Sequence, residues 1–262
     1  MKIGVFDSGM GGLTVLHKAL EMIPYADFLY YADEKNVPYG EKKRDEIVAF
    51  ADEAVGYMVK NGVDAVVIAC NTATSCAIRF LREKYGIPFV GMEPAVKLAV
   101  EKYSVPGKRV LVTATPLTVR EEKLARLIEK VDPSHIADTL ALPGLVRFAE
   151  KNEFESAAVE EYLRKSLVGC DVANYSAVVL GCTHFNYFKD TFRRLFPADT
   201  AIVDGSEGTV KRLMSLMNLP EKESCGAKTH AEYCFSGVPC SQSEIERIDL
   251  MLSRLGKMEK IM

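Results

Sequence analysis

The chain has 262 residues, of which 48% are hydrophobic and 26% charged, with a formal net charge of -3. That length allows a sizeable core and two domains, and the near-balance of charge gives no compositional case for a nucleic-acid surface. No apolar run approaches the ~20 residues of a spanning helix, so no membrane segment is expected.

In chain order, Ile3-Gly4-Val5-Phe6 reads as a buried strand that starts almost at Met1, so no leader is expected. It ends in Asp7-Ser8-Gly9-Met10-Gly11-Gly12, followed by a helix over 13–22. The loop matches neither G-x-G-x-x-G nor a P-loop, and Asp7 repels phosphate; it suits an ammonium group, a proton transfer or a structural turn. A strand over 27–32 precedes Pro38-Tyr39-Gly40, a turn by default. A long amphipathic helix is expected over 41–61, closed by Gly62, and a second over 73–85 that carries Cys76 as a buried structural thiol. A strand from Gly86-Ile87-Pro88 through Val90 leads to a helix opening at Glu93-Pro94.

The strand Arg109-Val110-Leu111-Val112 runs into a loop with Thr113, Thr115 and Thr118, hydroxyls that can bind a carboxylate or cap a helix. Helices are expected over 117–130, 145–151, 154–168, 187–196, 209–217 and 244–255, with strands over 137–142, at 202–204 and around Tyr233-Cys234-Phe235. The seven cysteines are an odd number and read as free thiols of a reducing cytoplasm. Cys225, His230, Cys234 and Cys240 have no compact ligand spacing, so no metal is expected.

Two stretches echo each other. Ala65-Val66-Val67-Ile68-Ala69-Cys70-Asn71-Thr72 and Ala177-Val178-Val179-Leu180-Gly181-Cys182-Thr183-His184 are both short β-branched runs that stop at a cysteine. Phe80 and Phe192, Arg82 and Arg194, and Val90 and Ile202 continue the likeness at the same offset. Ligands of open α/β sheets bind beyond the carboxyl ends of the strands, where both cysteines fall. Two thiols facing one ligand from opposite sides suit a reaction that takes a proton from one face of a carbon and returns it to the other. Each cysteine is expected just before a helix, whose N-terminus would favour thiolate. No lysine at either strand end suggests a pyridoxal enzyme, and no cofactor is expected. His184 stands beside Cys182 and Asp7 can serve Cys70 if the fold joins them; a structural role for either stays open.

These segments, Phe6-Asp7-Ser8-Gly9 with Gly11-Gly12-Leu13, Pro38-Tyr39-Gly40, Ala69-Cys70-Asn71-Thr72-Ala73 and Gly181-Cys182-Thr183-His184, together resemble the bacterial glutamate racemases over most of the chain. The resemblance implies two similar α/β domains with mostly parallel sheets, related by a pseudo-twofold, with the active site in the cleft between them. It places the first at 1–95 with 208–262 and the second at 96–207. It implies cofactor-independent interconversion of L- and D-glutamate for peptidoglycan, with Cys70 and Cys182 as acid/bases and Asp7 and His184 as helpers. Ser8, Pro38, Tyr39, Gly40, Asn71, Thr72, Thr115, Thr118, Glu150, Thr183 and His184, with Asp7, are the implied substrate contacts. A cytoplasmic homodimer is implied as well. Phe185-Asn186 stands where the family usually has an aromatic and a proline. The chain also lacks the N-terminal extension of members activated by a peptidoglycan precursor, so that activation is not expected.

Three other readings stay open. An aspartate racemase would differ by one methylene of substrate, worth only ~1–3 kcal/mol to a pocket. A non-catalytic amino-acid-binding protein would have no use for two thiols. A Cys-His hydrolase built on Cys182 and His184 would leave Cys70 without a role.

Overall fold

The structure is a computed structural model and describes residues 1–220 and 230–261. The first sheet begins with β1 (Lys2–Asp7), β2 (Asp27–Ala32), β3 (Ala65–Ile68) and β4 (Phe89–Gly91). Helices α1 (Leu13–Met22), α2 (Arg44–Lys60) and α3 (Asn71–Lys84) connect them. After α4 (Val96–Tyr103) a second sheet is laid down by β5 (Arg109–Ala114), β6 (Ala137–Ala141), β7 (Tyr175–Leu180) and β8 (Ala201–Asp204). Its connections hold α5 (Pro116–Arg120), α6 (Glu122–Val131), α7 (Pro143–Glu150), α8 (Ala157–Ser166) and α9 (Lys189–Leu195). The chain then returns through α10 (Ser206–Leu216) to β9 (Ala231–Phe235), β10 (Val238–Pro239) and α11 (Gln242–Met258).

The strand orders are β10-β9-β2-β1-β3-β4 and β6-β5-β7-β8. Every pairing is parallel except β9 with β10. The second sheet therefore repeats the inner order β2-β1-β3-β4 of the first, strand for strand, which is the expected duplication of a mostly parallel α/β unit. Parallel sheets are buried on both faces, so their strands read as continuous apolar runs. Ile3, Val5, Val67, Val178 and Leu180 face a core shared by both sheets, together with residues of α1, α7 and α11. Phe6, Val66 and Ile68 face the opposite way onto α2 and α3. Val110, Val112, Ala177 and Val179 turn outward onto α4 and α6.

Several boundaries differ from the sequence expectation. The helix expected from residue 41 starts at Arg44, because Tyr39–Glu41 forms a 3₁₀ turn and Glu46 accepts the Lys43 N–H at 3.0 Å to close the first turn of α2. The helix expected over 117–130 is two, since Glu121 is extended. Its carboxylate receives Arg44 of α2 at 2.8 Å. The helix expected from residue 154 opens at Ala157, where Ser156 accepts the Val159 N–H. The helix expected from residue 209 already starts at Ser206.

The two sequence copies share a backbone course but not every environment. Val90 and Ile202 are buried on equivalent strands, whereas Phe192 is fully buried and Phe80 is 40% exposed. The two passages between the sheets lie side by side. A Cβ on Gly205 would sit 2.5 Å from the carbonyl oxygen of Glu93, a contact that leaves room only for glycine. No described helix is long and apolar enough to cross a membrane.

Candidate active site

The carboxyl ends of β1 and β3 face those of β5 and β7 across a small cavity. It is lined from the first unit by Ser8, Pro38, Tyr39, Gly40, Cys70, Asn71 and Thr72, and from the second by Thr115, Cys182, Thr183 and His184. Glu41, Pro116, Pro143 and Val146 complete the wall. The open space is about 20 Å³, which holds roughly one water. That space is smaller than an amino acid.

Cys70 is the N-cap of α3, and its sulfur accepts the Ala73 N–H at 3.4 Å. The thiol donates to Ser8 Oγ at 3.6 Å. The Ala73 bond favours thiolate, as expected, and the Ser8 hydroxyl does so once it turns to donate to the sulfur, yet burial dominates and, with the nearby Asp7 charge, pushes the thiol well above its ordinary range. Cys70 is therefore held as a thiol. Asp7 makes no described hydrogen bond to it.

Cys182 departs further from the expectation. No α-helix begins beside it; a 3₁₀ stretch over Thr183–Phe188 follows, with α9 only after that, and the sulfur caps nothing. Its partner is His184, whose Nδ1 lies 3.8 Å from Sγ. The other ring nitrogen, Nε2, meets Glu150 Oε1 at 2.5 Å. Burial favours a neutral imidazole, but the bonds to Cys182 and Glu150 outweigh it and hold the imidazolium well above the ordinary histidine range. Burial likewise works against the Glu150 carboxylate; His184 and the Met10 N–H, at 2.9 Å, keep it below its ordinary range. The two thiols are thus served differently: one by a helix terminus, the other by an imidazolium-carboxylate pair.

The turn that carries His184 depends on two further features. Asn186, where the resembled family usually has a proline, donates from Nδ2 to the Thr183 carbonyl at 3.2 Å, and Thr14 Oγ1 donates to the same oxygen at 3.1 Å. These bonds hold by hydrogen bonding what a ring would hold covalently. Gly11 lies under the turn: a Cβ there would stand 2.4 Å from both His184 Nδ1 and Thr183 Oγ1.

Asp7 ends β1, fully buried, where Thr183 Oγ1 donates to Oδ1 at 3.4 Å and the Gly9 N–H to Oδ2 at 3.2 Å. It faces the Cys182 side as much as that of Cys70. Burial raises its pKa from 3.8 to about 6, against the opposing charge of His184. The folded state keeps this proton up to about pH 6, whereas the unfolded chain releases it near 3.8. Between those values the folded state binds more protons, so stability falls as pH rises through the window, by ~3 kcal/mol in all. Asp7→Asn is therefore expected to be more stable than the parent above pH ~7, by up to ~3 kcal/mol, and nearly equal to it below pH ~4. Urea titrations at both pH values check this; an equal stability difference at the two would contradict it.

The hydroxyls form a bridge between the units. Thr72 Oγ1 lies 3.0 Å from Thr115 Oγ1 and 3.1 Å from Thr118 Oγ1. Thr115 also caps α5 through the Thr118 N–H at 3.3 Å, so the cap and site readings both hold for it. Thr118 sits behind the wall rather than in it. Tyr39 donates its hydroxyl to Asp33 at 2.7 Å, and its ring packs against Phe6 and Phe50. Among the described residues Asn71 Oδ1 is buried without a hydrogen-bond partner, an acceptor available to a ligand.

Among the described residues the cysteine-rich tail forms no metal cluster, and Cys225 lies outside them. The set of ligand-type atoms that does converge is His17, Glu21 and Glu259, all within 4.8 Å. Lys18 already spans both of those carboxylates, at 2.7 and 2.6 Å, so no cation is needed there. Sequence reading missed Arg247 and Glu34 behind Glu150. Arg247 borders the apolar stripe Ile248, Met251 and Leu255 of α11, and no local pattern ties such a residue to a partner 97 positions away.

The Asp/Glu/Hydantoin racemase family model matches residues 14–213. A glutamate racemase of Lachnospira eligens is 49% identical over 266 residues, spanning 100% of both chains. The solved structure of Escherichia coli glutamate racemase in complex with L-glutamate and activator UDP-MurNAc-ala superposes with a TM-score of 0.81. It is 27% identical and covers 97% of this chain and 94% of that one. Francisella tularensis glutamate racemase in complex with D-glutamate gives 0.79 at 26% identity, over 96% and 93%.

Proposed function

The chain belongs to the Asp/Glu/Hydantoin racemase family, and from that premise we propose that it interconverts L- and D-glutamate by passing the α-proton between Cys70 and Cys182, without a cofactor. The observation that carries this reading is the pair of buried thiols at equivalent strand ends of a duplicated fold, lining one cavity from its two sides. The similarity at full length to a glutamate racemase supports the substrate.

In this mechanism the amino acid lies with its α-carbon between the sulfurs. Its ammonium is received by Asn71 Oδ1 and Ser8 near Asp7, and its carboxylates by the hydroxyls of Thr72, Thr115 and Thr183 and by Gly40. That ammonium brings a positive charge into a desolvated site, where it favours thiolate far more than it would in water. One thiolate removes the α-proton while the opposite thiol delivers its own proton to the other face. Each turnover exchanges the two protonation states, and the reverse reaction uses them in the opposite sense. The His184-Glu150 pair serves Cys182, as imidazolium beside the thiolate and as proton partner to the thiol. Asp7 tunes the charge between the two.

The same reading divides the chain into domains 1–95 with 208–262 and 96–207, which part about the Glu93-Gly205 contact to admit substrate. It makes the protein a cytoplasmic homodimer whose D-glutamate enters peptidoglycan. The substrate assignment is tested by polarimetry of purified protein, without added cofactor, on glutamate and on aspartate. Glutamate is expected to turn over faster; faster loss of rotation with aspartate would overturn it.

A further inference from the structure

Glu150 is a buried carboxylate on which three parts of the molecule meet, and the thiol chemistry explains only one of them. Oε1 takes His184 and the Met10 N–H. Oε2 takes Arg247 Nη2 of α11 at 2.9 Å, and the same nitrogen donates to the Glu150 carbonyl at 2.8 Å. That carbonyl ends α7 and has no partner within its helix, so the guanidinium caps the helix and grips the side chain together. Arg247 Nη1 in turn reaches both oxygens of Glu34, each at 3.3 Å. Arg247 thus stands between two carboxylates that would otherwise repel one another. The remaining ionisable groups that act on Glu150 or are acted on by it are Asp7 at the end of β1, Tyr30 of β2 and Tyr187. None of them is a cation.

We propose that Arg247 is a positioning residue for the racemisation: by holding the Glu150 carboxylate and its backbone carbonyl from α11, it fixes the group that orients His184 against Cys182. Arg247 lines no part of the substrate cavity. It acts on one thiol of the pair, because the contacts of Cys70 with Ser8 and Ala73 run through neither Glu150 nor His184. The link also joins the first sheet's terminal helix to the second unit. The inference rests on the two-thiol reading above for its role in turnover, but not for its effect on Cys182.

The test compares Arg247→Ala with the parent in two assays. In the first, kcat for glutamate racemisation is expected to fall roughly ten- to hundredfold with KM little changed, a part of the ~10²–10⁴-fold that acid-base assistance supplies. Adding Glu34→Gln to Arg247→Ala relieves the exposed carboxylate repulsion and is expected to recover part of the loss. In the second assay, iodoacetamide labels the thiols of the resting protein and mass spectrometry follows each site. Labelling of Cys182 is expected to slow several-fold while Cys70 keeps its parental rate. Parental kcat and parental Cys182 labelling would overturn the proposal, as would equal slowing of both thiols in a protein with parental circular dichroism. Should Arg247→Ala fail to fold, Arg247→Gln, shorter than arginine but still a polar donor, is judged by the same outcomes. If the parent itself racemises nothing, the two-thiol reading fails, while selective slowing at Cys182 still supports the Arg247-Glu150-His184 link.

Discussion

Replacing Cys70 or Cys182 with serine is expected to leave a folded protein whose glutamate racemisation is slower by about 10²–10⁴-fold, the usual contribution of one positioned acid or base. A hydroxyl is a far weaker acid than a thiol, so serine can neither hold the anion that abstracts the proton nor release a proton readily to the other face. The substitution changes little in packing. Both sulfurs are nearly buried, and their partners, Ser8 and Ala73 for one and His184 for the other, accept a hydroxyl as well. The two enantiomers have equal free energy, so kcat/KM must fall equally in both directions in each variant. The separate kcat values can differ, because the two thiols have different supports. Progress curves from each enantiomer, with circular dichroism as the folding control, check this. Near-parental turnover by either variant would remove the two-thiol mechanism, and a stable acyl-enzyme on Cys182 would favour a hydrolase instead.

The second large effect is expected at Glu150. Glu150→Gln preserves the shape of the side chain but removes the charge that sustains the His184 imidazolium, and kcat is expected to fall ~10²-fold. The same variant has a signature in stability. His184 is held above its ordinary value of 6.5, so its contribution is fully present below pH 6.5 and is lost as pH rises through the raised value. Glu150 is held below its ordinary 4.5, so its contribution is present above pH 4.5 and is lost as pH falls through the lowered value. The stability difference between parent and Glu150→Gln should therefore be greatest between pH 4.5 and 6.5 and shrink on both sides. Urea unfolding across that range measures it; a difference independent of pH would mean that the pair is not ionised as described.

Much of this site is legible in the sequence because it lies at strand ends. The runs 65–68 and 177–180 are β-branched, short and stopped by a cysteine, and they become parallel strands at equivalent places in the two sheets. The glycines around Asp7 mark a close approach, and Gly11 against His184 and Thr183 is that approach. Illegible features depend on groups distant in the chain. Glu121 breaks a helix that its own neighbourhood favours, at the point where Arg44 pairs with it. The stretch after Cys182, expected to lead directly into a helix, is held as a 3₁₀ turn by Asn186 and Thr14, with Gly11 close beneath it. The upward shift of the Cys70 thiol also ran against the local signal, since a helix N-terminus pulls one way and burial the other. Burial is a property of both units together, and no short stretch encodes it.

The central claim is that a proton leaves one face of the α-carbon and a different, solvent-derived proton returns on the other. It is tested most directly by incubating the purified protein with L-glutamate in deuterated water, without added cofactor, and following α-proton NMR together with optical rotation. Rotation is expected to decay to zero, and the D-glutamate formed to carry deuterium at the α-carbon from the first turnover. Loss of rotation with the original proton retained in the product, or no exchange from either enantiomer, would contradict it.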